Sequence, residues 1–133
     1  GENIMVNIAI IGCGSIVNWR HAPECRDDEN INLKGFYNIN IDKAEKNAEA
    51  FGGKVYKEFE DVLADETVDA VIISTPNKFH CDMTVRALES GKHVLCEKPM
   101  ALSVEECKKM VEASERTGKF LMIAQSQRTD AVS

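Results

Sequence analysis

The chain has 133 residues, 44% of them hydrophobic, which is enough for one domain with a full-sized core. Its formal net charge of −6 argues against a nucleic acid or an anionic membrane surface as partner, because either requires a basic face. No apolar run is long enough to span a bilayer. The five cysteines form no Cys-x-x-Cys pair and no zinc spacing, so we expect reduced thiols in a cytoplasmic protein and no metal site.

The first predicted element is a buried strand that runs into a glycine turn. Its apolar residues are interrupted only by Asn7, which is typical of a parallel strand covered on both faces. Gly12 and Gly14 follow, at the start of a predicted helix whose free N–H groups can bind a phosphate. The spacing matches two thirds of the dinucleotide fingerprint, with Val17 where Gly or Ala is usual, so alone it is a weak signal.

Helices and strands then alternate along the rest of the chain. After the first strand, we predict five further strands, at residues 31–38, 54–56, 69–74, 93–97 and 120–124. We predict helices at residues 15–22 and 59–63. Three further helices should run from 42 to the glycines at 52–53, from the turn at 75–77 to Gly91, and from 103 to Gly118. Asp42 is the predicted N-cap of the second helix, and Ser103 with Glu106 forms a capping box at the last one.

The last helix and strand contain several apolar residues that we expect to face the core. These are Val104, Cys107, Met110, Val111, Phe120 and Met122. The acidic residues from 58 to 66 are interpreted as a solvated helix face, and His93 as a structural residue.

This alternation predicts an α/β protein, a doubly wound parallel sheet of the Rossmann type with about six strands in the order 3-2-1-4-5-6. Residues 1–124 are the predicted dinucleotide-binding domain, and residues 125–133 a polar tail.

Three turns should meet beside this sheet, because ligands bind beyond the C-terminal strand ends, near the switch point between the first and fourth strands. The turns are residues 12–16, 75–80 and 97–99. Asn38, at the end of the second strand, lies where an acidic residue usually binds the adenosine ribose.

Three segments also carry a resemblance to a known family. They are Ile-Ile-Gly-Cys-Gly-Ser-Ile at 10–16, Val-Asp-Ala-Val-Ile-Ile-Ser-Thr-Pro-Asn-x-x-His ending at His80, and the Glu-Lys-Pro segment within 87–103. With them the chain resembles the N-terminal, nucleotide-binding domain of the glucose-fructose oxidoreductase / inositol dehydrogenase / MocA (Gfo/Idh/MocA) family of dehydrogenases.

The resemblance implies a set of site residues. Those expected to bind the cofactor are Gly12, Gly14, Ser15, Ile16, Asn38, Thr75, Pro76, Asn77, His80, Glu97, Lys98 and Gln125. Of these, Lys98 is implied to be catalytic, positioning the reacting hydroxyl and easing the loss of its proton as hydride leaves for the nicotinamide.

The cofactor is expected to be NAD or NADP, and the choice stays open here. Asn38 stands where the family often has Asp, so the charge that repels a phosphate is missing, yet no Arg follows at Ile39 or Asn40 to bind one.

The implied activity is hydride transfer between the nicotinamide cofactor and a hydroxyl of a sugar, cyclitol or related polyol. We expect this chain to bind cofactor without turning over substrate, because the family's second, C-terminal substrate domain is absent from the sequence. A homo-oligomer is left open for the complete protein. The alternative function is a non-catalytic sensor or scaffold that keeps the NAD(P)-binding fold.

Overall fold

A six-stranded, wholly parallel sheet organises the computed structural model, which describes residues 5–12, 27–75, 77–97 and 103–124. The strands are β1 Val6–Ile11, β2 Ile31–Tyr37, β3 Lys54–Val55, β4 Ala70–Ile73, β5 His93–Glu97 and β6 Leu121–Ala124, and the helices of these ranges are α1 Ile41–Phe51, α2 Phe59–Ala64, α3 Asn77–Glu89 and α4 Val104–Thr117. The order is β3-β2-β1-β4-β5-β6, which confirms the predicted topology. None of these helices is long and apolar enough to cross a membrane.

Most predicted elements differ from the observed ones by one or two residues at their ends. The strands at 31–38, 54–56, 69–74 and 120–124 are each slightly shorter than predicted, whereas β5 has the predicted bounds. The predicted helix at 15–22 and the predicted polar tail at 125–133 lie outside the described residues.

Both faces of the sheet are covered, which explains why β1 is apolar on both sides. Ile11, Val71 and Ile73 belong to a core cluster shared with α2, α3 and α4. Ile10 and Phe36 belong to a second cluster, on the face that α1 covers. Neighbouring residues of a strand point to opposite faces, so a strand between two helical layers needs apolar residues at every position.

Asn7, the polar residue of β1, joins the N-terminal edge of the sheet. Its side-chain amide donates to the Thr67 carbonyl (2.7 Å) and accepts from the Asn32 amide (3.0 Å). Its backbone N–H donates to the Asp69 carboxylate at 2.9 Å. Asn7 thus links β1 to β2 and to the segment that enters β4, at the end of the sheet away from the glycine turn.

Within the described residues, the helix ends follow the predicted signals, with one exception at the start of α1. Ser103 and Glu106 form the predicted capping box, and Gly118 ends α4 in the left-handed conformation. At α1 the predicted N-cap, Asp42, is wrong. Asn40 caps the helix, and its side-chain oxygen accepts from the Asp42 N–H at 3.1 Å.

The predicted inward face of α4 is partly wrong, and so is the predicted core role of two residues around β6. Met110 and Ala113 are buried, whereas the side chains of Val104 (73%) and Val111 (46%) are exposed. Phe120 (77%) and Met122 (65%) are also exposed. The contact between α4 and α3 sets which stripe of the helix is covered, and that contact cannot be read from periodicity alone.

His93 has the structural role that was predicted for it. Its Nδ1 accepts a hydrogen bond from the Phe120 N–H at 3.0 Å, and its ring stacks on the Phe120 ring with centroids 5.2 Å apart. This pair joins the start of β5 to the segment that leads into β6.

Asp65 organises the turn between α2 and β4. One carboxylate oxygen accepts from the Tyr56 hydroxyl (2.7 Å), and the other accepts from the N–H and hydroxyl of Thr67 (3.0 and 2.5 Å). These hydrogen bonds, with that of the Thr67 hydroxyl the strongest, lower the pKa of Asp65 from 3.8 to about 2. The buried Lys92 ammonium donates to the Asp65 and Val68 carbonyls (2.8 and 3.1 Å), so the turn is held from both sides.

We expect Asp65→Asn to destabilise the fold by about 1 kcal/mol at neutral pH, because the charged acceptor of the turn is lost. A carboxyl whose pKa is lowered on folding stabilises the protein above its unfolded pKa and loses that effect as the pH falls through the folded value. The difference between the two proteins should therefore disappear between about pH 4 and pH 2 in urea unfolding. Glu112→Gln, an exposed change on α4, is the control, and a difference that persisted at pH 2 would contradict this account.

A second pair of variants tests the observed orientation of α4. Met110→Ala should cost about 2–5 kcal/mol because it leaves a cavity in the core. Val111→Ala should change the stability by less than about 1 kcal/mol, since its side chain is half exposed. Equal unfolding midpoints for the two variants in urea would show that the orientation is wrong.

Candidate functional site

The C-terminal ends of three central strands lie level with one another. Ile11, the last residue of β1, is paired with Tyr37 of β2 and with Ile73 of β4. The residues that follow these strands, Gly12, Asn38 and Ser74, therefore lie along one edge of the sheet. This edge is the one at which ligands bind in doubly wound folds.

At Gly12, in the centre of that edge, the backbone passes directly against the residue that follows β4, Ser74, and we call this the close crossing of Gly12. Its N–H donates to the Tyr37 carbonyl at 2.7 Å, and its φ of +95° is a conformation that favours glycine. A Cβ at this position would lie 2.7 Å from the Ser74 carbonyl oxygen, which is closer than a real contact allows. The missing side chain therefore lets the start of the turn lie directly against the backbone at the end of β4.

Two hydroxyl groups that make no hydrogen bond to the described residues lie beside this crossing. The side-chain oxygens of Ser74 and Thr75 are buried and have no hydrogen-bond partner within the described part of the chain. The Thr75 N–H nitrogen is 3.2 Å from the place that a Gly12 Cβ would occupy. Buried hydroxyls are nearly always hydrogen-bonded, so this pair is suited to a polar ligand seated at the edge.

A cleft of about 350 Å³ opens between the end of β2 and the first turns of α2 and α3. Its described lining residues are Tyr37, Asn38, Ile39, Glu58, Phe59, Glu60, Thr75, Phe79, Asp82, Met83 and Arg86. The walls are largely aromatic or aliphatic, and Ile39 lies at the rim with 80% of its surface exposed. Apolar walls with a few polar groups are typical of sites for small organic ligands.

The charged side chains of the cleft are arranged around Arg86. Its guanidinium bonds the Glu60 carboxylate at 2.6 Å, lies 3.6 Å from the Asp82 carboxylate and stacks 5.1 Å from the centre of the Phe59 ring. The hydrogen bond from Arg86 lowers the pKa of Glu60, so this carboxylate is ionised at neutral pH. The pKa of Tyr37 is raised, first by burial and then by the carboxylates of Glu58 and Glu60.

The acidic residues of the cleft carry no site motif in the sequence. The acidic run at 58–66 is predicted to be a solvated helix face, and Glu58 and Glu60 are exposed as predicted, but they also line the cleft, and Asp65 orders a turn. The available signal was their position directly after the third strand, since the segment after a strand returns across the same edge of the sheet.

Some predicted site residues come together here, and others do not. Asn38 and Thr75 line the same cleft, and the Asn38 amide donates to the Asn40 carbonyl at 3.1 Å. His80 is 3% exposed on α3 and is not among the cleft residues. Asn77 begins α3 and Glu97 ends β5, so their backbones lie at the expected strand and helix ends. Gly14, Ser15, Ile16, Pro76, Lys98 and Gln125 lie outside the described residues.

The described residues fit a dinucleotide. Gly12 lets the turn after β1 begin tightly against the end of β4, at the edge where a pyrophosphate would bind. Ser74 and Thr75 supply hydroxyls, and Asn38 supplies an amide at a cleft that can hold a flat ring. Within ranges 5–12, 27–75, 77–97 and 103–124, no three side chains of the metal-binding types lie close enough to hold a metal ion.

Comparison with known proteins agrees with this fit. Glucose-6-phosphate 3-dehydrogenase of Bacillus subtilis is 44% identical over 115 residues, 84% of this chain and 31% of the relative. A scyllo-inositol 2-dehydrogenase (NADP⁺) of the same species is 33% identical over 90% of this chain and 37% of the relative. A 3-ketoreductase of Actinomadura kijaniata, solved with NADP and TDP-benzene, superposes with a TM-score of 0.84 at 28% identity over 90% of this chain and 37% of that one.

The chain spans about a third of the length of the curated relatives that it matches. The family model described as "Oxidoreductase family, NAD-binding Rossmann fold" matches residues 6–125, nearly the whole chain. This confirms the resemblance, the fold class and an NAD(P) cofactor. The chain therefore belongs to the Gfo/Idh/MocA oxidoreductase family, as its NAD(P)-binding Rossmann domain.

Proposed function

We propose that this chain is the cofactor-binding part of an NAD(P)-dependent dehydrogenase that acts on a hydroxyl of a sugar, cyclitol or related polyol. The observation that carries the proposal is the close crossing of Gly12, with the unused hydroxyls of Ser74 and Thr75 beside it and a cleft next to them. The substrate class is supported by relatives named as glucose-6-phosphate, D-glucoside and inositol dehydrogenases.

In this proposal each part of the edge contacts a different part of the cofactor. The turn that begins at Gly12 binds the pyrophosphate through backbone N–H groups, and the cleft holds the adenosine half, with Asn38 at a ribose hydroxyl. The resemblance implies that Thr75 flanks the nicotinamide half, but because Thr75 lines the same cleft as Asn38, we assign its hydroxyl a hydrogen bond to the cofactor between these two places. Gly12 and Thr75 are held in place by the ends of β1 and β4, so little ordering of these two residues is required when the cofactor binds.

Lys98 is proposed as the catalytic residue. When bound, the nicotinamide supplies a hydride acceptor at its C4 atom. Lys98 follows Glu97, the last residue of β5, and would orient the substrate hydroxyl and ease the loss of its proton. This role is supported by the resemblance of the Glu-Lys-Pro segment.

Two threonine variants test cofactor binding. The chain should bind NAD or NADP in a calorimetric titration, and Thr75→Val should weaken the affinity by about two- to tenfold because one hydrogen bond is lost. Thr84→Val is the matched control, because Thr84 also has a buried hydroxyl without a described partner but is not among the cleft residues. Equal effects of the two variants would contradict the role of Thr75. If neither NAD nor NADP binds at millimolar concentration, the proposed function is contradicted.

A lysine variant of the complete protein tests the catalytic assignment. Lys98→Ala should lower kcat by about 10²- to 10⁴-fold and change the cofactor Kd much less, since the side chain acts on the transferred proton. Lys108→Ala, an exposed change on α4, should leave both values unchanged. A raised cofactor Kd with normal kcat at saturation would remove Lys98 from the chemistry. Cofactor binding without turnover of any polyol by the complete protein would favour the sensor or scaffold alternative.

A further inference from the structure

We propose that this chain selects NAD over NADP, and that the carboxylates of Glu58, Glu60 and Asp82 make the selection. NADP differs from NAD only by a phosphate on the 2′ oxygen of the adenosine ribose. The inference rests on the proposed function, in which the adenosine half of the cofactor lies in the cleft between β2, α2 and α3.

The position of the ribose follows from Asn38. In this fold the residue at the end of the second strand hydrogen-bonds the ribose hydroxyls, and a nearby arginine accommodates the phosphate in enzymes that use NADP. Asn38 lines the same cleft as the three carboxylates, so a 2′-phosphate bound beside Asn38 would lie within their field.

The charge of the cleft opposes a phosphate. Among its described lining residues, three carboxylates stand against the single guanidinium of Arg86, which leaves a formal charge of −2. Charges that line a cleft of this size act over about one Debye length, about 8 Å at physiological ionic strength. A ribose phosphate carries about −1.5 to −2 charges at neutral pH, so the repulsion acts on NADP and spares the neutral hydroxyl of NAD.

Arg86, the cation of the cleft, is already engaged. Its guanidinium is bonded to Glu60 at 2.6 Å and lies 3.6 Å from Asp82. A phosphate would have to displace a carboxylate from this group before it could pair with it. Lys57, which directly precedes Glu58 in the sequence, is not among the described lining residues.

The start of α1 gives no compensating attraction. A free helix N-terminus attracts anions through its N–H groups and its dipole. Here the Asn40 side chain already accepts from the Asp42 N–H at 3.1 Å, and the Asp42 carboxylate adds a negative charge in the first turn. The helix end that follows Asn38 is therefore partly satisfied and acidic.

Membership of the family leaves this choice open. One relative is named as an NADP⁺ enzyme, and the similar ketoreductase was solved with NADP, whereas the family model is described as NAD-binding. The selection must come from side chains of each member. In this chain those side chains are Glu58 and Glu60 at the start of α2 and Asp82 in the second turn of α3.

The first experiment compares the Kd values of NAD and NADP for this chain by calorimetry. We expect NAD to bind at least about tenfold more tightly at about 0.05 M salt, with a ratio that narrows at about 0.5 M because salt screens the repulsion. Binding of NADP as tight as that of NAD, or tighter, would overturn the inference and leave the proposed function standing. Binding of neither cofactor would overturn the proposed function and this inference with it.

The second experiment identifies the residues. Glu60→Gln removes one negative charge and releases Arg86, so the NADP affinity should rise by about three- to tenfold while the NAD affinity changes less than about twofold. Adding Arg86→Gln should cancel most of that gain. Glu45→Gln, on the exposed side of α1, is the matched control and should alter neither affinity. A preference for NAD that Glu60→Gln leaves unchanged would overturn the assignment to the acidic cleft.

Discussion

The site depends on the close crossing of Gly12 over the end of β4. Because Gly12 has no Cβ, the backbone can lie against the Ser74 carbonyl while its N–H bonds the Tyr37 carbonyl at 2.7 Å. The Ser74 N–H donates to the Ile11 carbonyl at 2.8 Å, which fixes the other side. A larger residue would push the end of β4 away from β1, and Asn38 and Thr75 would no longer line one cleft.

The carboxylates that line the cleft all carry a negative charge, so their effects on a bound anion add together. A single exposed ion pair such as Arg86 with Glu60 contributes about 0–1 kcal/mol to stability, so it is a minor element of the fold. The effect on a bound anion is larger, because every carboxylate in the walls repels the same phosphate and each repulsion energy grows with the charge of that phosphate. Residues with little effect on folding can therefore decide which nucleotide binds.

Much of the fold could be predicted because its signals are local. The apolar runs, the capping box at Ser103 and the glycine turns each mark an element, and the strand order then follows from the rules of parallel sheets. The face of α4 could not be predicted, since Val104 with Val111 and Met110 with Ala113 are both acceptable helical stripes. Only the contact of α4 with α3 decides between them.

One part of the candidate site could likewise be predicted from the sequence, and the other part could not. Its backbone part follows from topology, so Gly12 and Thr75 could be placed together from sequence, whereas an acidic run reads the same in a solvated helix and in a cleft wall. In many members of this fold a carboxylate at the end of the second strand both bonds the ribose and repels a phosphate. In this chain Asn38 is neutral, so in the proposed selection the residue that bonds the ribose is not the one that repels the phosphate. The amide keeps the hydrogen bond, and the repulsion comes instead from Glu58 at the N-cap of α2, Glu60 in its first turn and Asp82 on α3.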